Sequence, residues 1–199
     1  MKLNKKKLII GLTGSFGTGK TKVSQIFKSL GACVIDADKI AHGCLKSRTK
    51  IQRKIIKIFG KKILNQDKSI NRKKLAGIVF NNQKLLKELN KLVHPEVIRL
   101  MKRAIRTCKK NVVILDVPLL VEASLINMVD KLIVVKSSRK SQIERIQKKL
   151  GLKKSDILKR IKSQLSLSDK IRLADFVIDN TGRVCVTRKQ VREIWGRLN

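Results

Sequence analysis

The chain has 199 residues, 42% of them hydrophobic, and its formal net charge is +34. This length predicts one domain, or one core with insertions, and enough apolar side chains to bury a sizeable core. Aromatic residues make up only 3%. The core is therefore expected to consist of Ile, Leu and Val, and the basic, aromatic-rich patches of single-stranded nucleic-acid binders are missing.

The positive charge has two interpretations. One is a nucleic-acid or acidic-membrane partner. The other is a compositional bias, because Lys and Ile are both abundant and the basic residues are spread along the whole chain. We favour the bias, and we expect no specific nucleic-acid partner and no membrane partner. No apolar run approaches the ~20 residues needed to span a bilayer.

The apolar run after the basic N-terminus breaks into glycines without a cleavage-type segment, which predicts a cytoplasmic protein. The four cysteines are widely scattered and only two histidines are present. This spacing does not suit a zinc site. Free, buried thiols are expected.

The first predicted elements form one βαβ unit. The apolar run at 8–12 predicts a buried strand of the parallel-sheet type. A glycine-rich loop follows, and TKVSQIFKSLG then predicts a helix that ends at Gly31. The next segment, CVIDAD, predicts a second buried strand that ends in acids.

The rest of the chain predicts helices and three more strands. From about 47 to 110, apolar residues recur at helical steps, which indicates a helical insertion over 47–107. NVVILDVPLL, KLIVVKS and ADFVIDNTG predict strands, and two charged helices lie between the last two. TRKQVREIWGRL predicts a closing amphipathic helix. The sum is an α/β three-layer fold of about five parallel strands, with a core of 1–46, 108–138 and 169–199.

The stretch GSFGTGKT, from Gly14 to Thr21, fits the pattern G-x-x-x-x-G-K-[ST] at every position and lies between a predicted strand and a predicted helix. Glycines let backbone N–H groups turn toward an anion, and the helix adds its unpaired N–H groups and positive end. Lys20 is expected to reach the β- and γ-phosphates and Thr21 to ligate Mg²⁺. The alternative, a simple connecting turn, leaves the Lys-Thr pair unexplained.

Three acids end predicted strands. Asp36 and Asp38 close CVIDAD, and the two-residue period of a strand places both on one side, which can face the phosphate crevice. A carboxylate there can orient an acceptor hydroxyl and take its proton. For one of the two, a helix N-cap is the alternative. Asp116 ends VVILD, where P-loop proteins commonly bind Mg²⁺ through water.

The residues after Asp116, VPLLVE, differ from the switch sequence of a GTPase, and the chain has no Asn-Lys-x-Asp guanine motif. The pattern therefore favours a small-molecule kinase. Two other functions stay open: another nucleoside or nucleotide P-loop kinase, and an ATP-dependent nucleic-acid-binding protein, which the net charge motivates.

Over nearly its whole length the sequence resembles the dephospho-CoA kinase family. The matching segments are IGLTGSFGTGK, GACVIDADKIA, INRKKL, LNKLVHPEVI, DVPLLVEASL and ADFVIDNTG. The resemblance implies that ATP, with Mg²⁺, phosphorylates the ribose 3′-hydroxyl of the small-molecule substrate dephospho-CoA. It also implies that 47–107 binds CoA and that 139–168 forms a lid that closes over ATP. A monomer or weak oligomer is expected.

The resemblance also implies residue roles. The predicted catalytic residues are Asp38 as the base, Asp36 as its support or a metal partner, Lys20 and Arg145. The nucleotide is expected to contact Gly14, Ser15, Phe16, Gly17, Thr18, Gly19, Lys20, Thr21, Lys22, Asn180 and Gly182. The acceptor is expected to contact Asp38, His94, Pro118, Leu119, Leu120 and Glu122. The predicted metal ligands are Thr21 and Asp116.

Several of these residues keep a structural alternative. His94 can instead cap or pack a helix, Arg145 can be a solvated charge, and Leu119 and Leu120 can belong to the core. The chain also departs from the family pattern at Ser15, where a glycine is usual, and at Phe16, where a smaller aliphatic is common. Ser15 suits the loop if its φ is negative.

Two lysines mark a further departure. Lys149 and Lys170 stand at positions where the resemblance leads us to expect arginines. Lysine lacks the bidentate fork of arginine toward phosphate, so slower phosphoryl transfer is expected.

Overall fold

In the computed structural model, the structure describes residues 7–46, 49–80 and 82–198. The chain divides into two compact units at the bonds Ile35–Asp36 and Thr107–Cys108. We call the part between these bonds the helical unit and the remainder the core unit. The predicted insertion at 47–107 lies within the helical unit, which begins earlier, at Asp36.

The core unit contains a five-stranded parallel sheet in the order β2-β3-β1-β4-β5, which confirms the predicted fold class. Its strands are β1 Leu8–Gly14, β2 Cys33–Asp36, β3 Val112–Asp116, β4 Lys131–Lys136 and β5 Phe176–Asp179. Every residue of β3 is buried. Apolar runs without alternation therefore form the inner strands, as is typical of a sheet covered on both faces.

Within its described residues, the core unit contains five α-helices. They are α1 Lys20–Ser29, α6 Arg139–Leu150, α7 Lys154–Lys162, α8 Leu167–Arg172 and α9 Val184–Leu198. The main core cluster joins the sheet to α1 and α9 and is built almost entirely from Ile, Val and Leu, as predicted. Phe27 and Trp195 bring the two helices together, with ring centroids 6.3 Å apart.

The helical unit contains α2 Ala37–Cys44, α3 Lys50–Phe59, α4 Arg72–Phe80 and α5 Gln83–Thr107, with a 3₁₀ turn at Lys61–Ile63. Its own core includes Ile55, Ile63 and Leu75. Helix α3 begins where the Thr49 hydroxyl accepts a hydrogen bond of 3.0 Å from the Gln52 N–H. This side-chain cap satisfies an N–H that the helix itself leaves unpaired.

One predicted strand is too long. CVIDAD was expected to be extended throughout, but β2 ends at Asp36 and α2 begins at Ala37. The Asp36 carboxylate accepts a hydrogen bond of 3.0 Å from the Lys39 N–H and caps α2. Asp38 therefore lies in the first turn of a helix, and the argument that both acids share one face of a strand is wrong.

All four cysteines are free. Burial and then the neighbouring Cys108 thiol raise the pKa of Cys33 to about 11, so Cys33 is a neutral thiol near pH 7. Cys185 is exposed, contrary to the expectation of buried thiols. Within the described ranges, no helix is both long enough and apolar enough to cross a bilayer.

Candidate active site

The glycine-rich loop turns sharply between β1 and α1. Gly17 has φ +84° and Gly19 has φ +82°, values that side chains disfavour and glycine accepts. A Cβ at Gly14 would lie 2.6 Å from the Val135 carbonyl oxygen, so a bare backbone is needed there for a different reason. Ser15 is not among the positive-φ residues, and it therefore suits the loop without strain.

Lys20 and Asp116 meet beside this loop. Lys20 is the first residue of α1, Asp116 is the last residue of β3, and their side chains form an ion pair. Only 14% and 6% of the two side chains are exposed. The parallel pairing of β1 with β3 brings the two residues together, since it places the end of β3 next to the loop. The sequence predicted both residues for the site but did not predict their contact.

Two residues from distant parts of the core unit donate hydrogen bonds to the Thr18 carbonyl. It accepts hydrogen bonds from Asn180 Nδ2 at 2.8 Å and from Arg145 Nη1 at 3.4 Å. Arg145 Nη2 also donates to the Asn180 carbonyl at 2.7 Å. Asn180 is buried, and the Thr187 hydroxyl donates to its Oδ1 at 2.9 Å. Arg145 is thus held against the loop instead of being a fully solvated charge.

A second segment, Pro118 to Glu122, is fixed by Lys170. Lys170 Nζ lies 2.7 Å from Glu122 Oε1 and donates to the Pro118 carbonyl at 3.3 Å. The Thr13 hydroxyl donates to the same carbonyl at 2.9 Å. Lys170 is fully buried, so it is bound to this segment instead of facing phosphate as a lid arginine would. A buried ammonium needs an anion beside it, and Glu122 supplies that anion.

The two leucines of this segment differ. Leu119 is 46% exposed and Leu120 is fully buried. Leu120 therefore has the burial of a core residue, while Leu119 presents apolar surface that a ligand can cover. Their roles toward the acceptor stay predictions.

The remaining acceptor-side candidates lie in the helical unit. Asp38 is exposed in the first turn of α2, and His94 is exposed inside α5, just before Pro95. His94 is therefore neither a helix cap nor a packed core residue. Asp36 is the N-cap of α2, so the cap alternative applies to it and not to Asp38.

The nucleotide-side candidates that remain are exposed. Thr21 and Lys22 lie on the first turn of α1, and Gly182 lies in the turn before α9. Across the described ranges, no three His, Cys, Asp or Glu side chains form a ready-made metal cluster. A Thr21 hydroxyl and an Asp116 carboxylate are nevertheless hard oxygen donors. They suit Mg²⁺, which usually keeps waters and takes phosphate oxygens as its other ligands.

One acid at this edge of the sheet was not predicted. Asp179, the last residue of β5, accepts a hydrogen bond of 2.8 Å from the Thr181 N–H and pairs with Lys136 at 3.3 Å. Burial alone would raise the pKa of Asp179, but these contacts outweigh it and lower the pKa. Asp179 thus shapes the turn that carries Asn180.

Two glutamines were also missed. Gln142 donates a hydrogen bond to the Phe16 carbonyl, and Gln164 accepts one from the Phe16 N–H. No motif or spacing marks either residue, and the burial of Gln142 is evident only from the folded structure.

A parallel sheet with this strand order, a glycine-rich loop after its central strand and a lysine–aspartate pair beside the loop define a P-loop protein of the kinase type. A sequence model of the dephospho-CoA kinase family matches residues 8–185. A dephospho-CoA kinase from Carboxydothermus hydrogenoformans is 40% identical over 94% of this chain and 92% of its own length. The chain belongs to the dephospho-CoA kinase family.

Solved structures agree with this assignment. The chain is similar to TT1252 from Thermus thermophilus, with a TM-score of 0.87 and 27% identity, over 98% of this chain and all of the other. It is also similar to a dephospho-CoA kinase from Campylobacter jejuni, with a TM-score of 0.67 and 29% identity, over 97% and 98% of the two chains.

Proposed function

We propose that this chain transfers the γ-phosphoryl group of ATP to the ribose 3′-hydroxyl of dephospho-CoA, which gives CoA and ADP. Family membership along nearly the whole chain supports the acceptor. The single structural observation that supports the donor is the glycine-rich loop, with Lys20 held at its end by Asp116.

Binding of the triphosphate rests on the backbone of the loop. The positive φ of Gly17 and Gly19 turns successive peptide groups around the space before α1, and the helix adds its positive N-terminal end. Lys20 supplies a positive charge at that place. Because phosphoryl transfer depends mainly on positioning and on electrostatic stabilisation, these groups account for most of what the core unit contributes.

Mg²⁺ is the proposed metal, with Thr21 and Asp116 as the residues that would hold it. When bound, it would neutralise charge on the β- and γ-phosphates. The Asp116 carboxylate would then contact both the Lys20 ammonium and the metal. Asp116 would therefore hold in place the two positive charges, Lys20 and Mg²⁺, that bind the triphosphate.

Proton removal is assigned to Asp38. Its exposed carboxylate would accept the proton of the 3′-hydroxyl as the ribose oxygen bonds to the γ-phosphorus and the bond to the β-phosphate oxygen breaks. Asp36 would support Asp38 by fixing the start of α2, since its carboxylate is already used as the helix cap.

Arg145 and Asn180 are assigned to the nucleotide. Both touch the Thr18 carbonyl, so both would hold the loop in its binding shape. The predicted lid over 139–168 contains α6 and α7, and Arg145 lies on α6. A lid in this place would exclude water from the γ-phosphate and limit hydrolysis of ATP.

The test is a comparison of acceptors. Purified protein is given Mg-ATP with dephospho-CoA, adenosine, a nucleoside monophosphate or shikimate, and ADP release is measured in each case. We expect ADP release with dephospho-CoA to exceed that with the others by at least ~100-fold, the scale that specific polar contacts provide. Preferred turnover of another acceptor would overturn the proposal.

A further inference from the structure

Glutamine side chains hold the two peptide groups on either side of Phe16, in the middle of the glycine-rich loop, which we also call the phosphate loop. The Phe16 N–H donates to Gln164 Oε1 at 2.8 Å, and Gln142 Nε2 donates to the Phe16 carbonyl at 2.8 Å. The Ser15 hydroxyl also donates to Gln164 Oε1, at 3.2 Å. Side chains from outside the loop thus fix the orientation of both peptide groups.

The two glutamines come from either end of the α6–α7 hairpin. Gln142 lies in the first half of α6 and is buried, with 2% of its surface exposed. Gln164 follows directly after the C-cap of α7, which is Ser163. The hairpin is therefore tied to the phosphate loop at two points that are far apart in the sequence.

Apolar contacts strengthen the same connection. The Phe16 side chain packs against a cluster formed by Ile146, Ile157 and Ile161 of the hairpin. The Arg160 guanidinium carbon lies 5.6 Å from the centre of the Phe16 ring, a distance at which a cation attracts an aromatic face. Phe16 is thus a side chain of the loop that belongs to the core of the hairpin.

The next residue of the loop touches α6 directly. A Cβ at Gly17 would lie 2.9 Å from the Gln142 carbonyl oxygen. No side chain separates the loop backbone from the helix at this point, so a displacement of either one moves the other.

We propose that Gln142 and Gln164 are positioning residues for the nucleotide. They set the orientation of the two peptide groups that flank Phe16 and couple the α6–α7 hairpin to the loop, while Ser15 and Phe16 provide the matching surface. The inference rests on the proposed function only in taking ATP as the nucleotide. It needs no assumption about the acceptor.

The decisive variant is Gln164→Met, which keeps the length of the side chain and removes the strong acceptor. We expect exchange of the Phe16 amide proton, followed by NMR without nucleotide, to be at least ~10-fold faster. We expect a non-hydrolysable ATP analogue to bind ~3- to 10-fold more weakly, which is the scale of one or two hydrogen bonds. When ATP is varied in the turnover assay, its KM should rise by more than kcat falls.

Three further variants are compared with it. Gln164→Glu keeps an acceptor oxygen for both donors and should retain slow exchange of the Phe16 amide. Gln147→Met makes the same chemical change at an exposed position of α6 and should leave exchange and affinity as in the wild type. Ser15→Ala removes only the weaker donor and should weaken analogue binding less than ~3-fold.

Unchanged analogue affinity in Gln164→Met, with or without faster exchange, would overturn the proposal. If that variant does not fold, Gln142→Met replaces it. This change removes the donor to the Phe16 carbonyl and should weaken analogue binding ~3- to 10-fold, so unchanged affinity there has the same meaning. Neither amide exchange nor analogue binding uses dephospho-CoA. Failure of the acceptor assignment would therefore leave these results intact, and failure of the coupling would leave the acceptor assay intact.

Discussion

The phosphate loop and the acidic turn at Asp36–Asp38 differ in how far the protein itself fixes their groups. In the loop, hydrogen bonds from Asn180, Arg145 and Gln142 hold the peptide groups of Phe16 and Thr18. In the acidic turn, Asp36 is committed to a helix cap and Asp38 is exposed. The donor side is therefore organised by internal contacts, while the proposed base is left available to a ligand.

This difference suggests two kinds of mutational effect. Changes around the loop should alter both the binding of nucleotide and the stability of the fold, because the same contacts support both. A change at Asp38 should alter turnover alone. Lys20→Ala and Asp38→Asn probe the two sides of this comparison, while Glu122, Lys170 and Asp175 lie outside both.

The largest effect is expected for Lys20→Ala. Removing this ammonium takes positive charge away from the triphosphate and leaves the buried Asp116 carboxylate without its partner. We expect kcat/KM to fall by ~10³-fold or more, comparable to the loss of a strong electrostatic contact to a transition state. Steady-state kinetics with ATP and dephospho-CoA measure it. Lys28→Ala, an exposed lysine at the other end of α1, is the matched control and should behave as the wild type.

Asp38→Asn should cut kcat by at least ~100-fold, the scale of losing a general base. Binding of a non-hydrolysable ATP analogue should stay close to that of the wild type, because Asp38 belongs to the acceptor side. Pre-steady-state kinetics and calorimetry separate the two quantities. Asp67→Asn, an exposed acid elsewhere in the helical unit, should change neither. Full turnover in Asp38→Asn would rule out its role as the base.

The pair of Glu122 and Lys170 sharpens the comparison through stability. Glu122→Leu leaves a fully buried ammonium without its anion and should lower the free energy of unfolding by ~3 kcal/mol. Lys170→Met should cost less, about 1 kcal/mol, because the Glu122 side chain is 22% exposed and water can solvate it. Urea unfolding of both variants measures the difference. Equal losses would contradict the asymmetry.

The smallest effect concerns Asp175, at the amino ends of β4 and β5. A hydrogen bond from Lys131 holds the pKa of Asp175 below its usual value. A carboxylate with a lowered pKa stabilises the fold at neutral pH, and this contribution is lost as pH falls through the folded-state pKa. Asp175→Asn should therefore cost less than ~1 kcal/mol at pH 7, and the difference from the wild type should shrink below about pH 4. Activity should not change, since Asp175 lies at the end of the sheet away from the loop.

The sequence predicts the glycine-rich loop and the buried strands well because local rules decide them. The run VVIL before Asp116 has no polar face, which favours a strand buried on both sides. The spacing from Gly14 to Thr21 specifies the loop, because each glycine answers a backbone requirement that other residues meet poorly. Strand order and the meeting of Lys20 with Asp116 follow from long-range pairing, which no local pattern contains.

The contacts that organise the site were harder to predict. Gln142, Gln164 and Lys170 look like ordinary polar residues in or near charged helices, and only the folded chain shows that they contact the loop or Glu122. The end of β2 was misplaced for a related reason. An aspartate at this point is compatible with a longer strand or with a helix N-cap, and in the structure the Asp36 side chain caps α2.

We propose that this chain transfers the γ-phosphoryl group of ATP to the ribose 3′-hydroxyl of dephospho-CoA. The most direct test is to identify the product of the wild-type reaction by ³¹P NMR and mass spectrometry. We expect one product, CoA, with a single new monoester on the ribose 3′-oxygen and one ADP formed for each CoA. Release of inorganic phosphate alone, or a phosphate placed elsewhere on the acceptor, would contradict it.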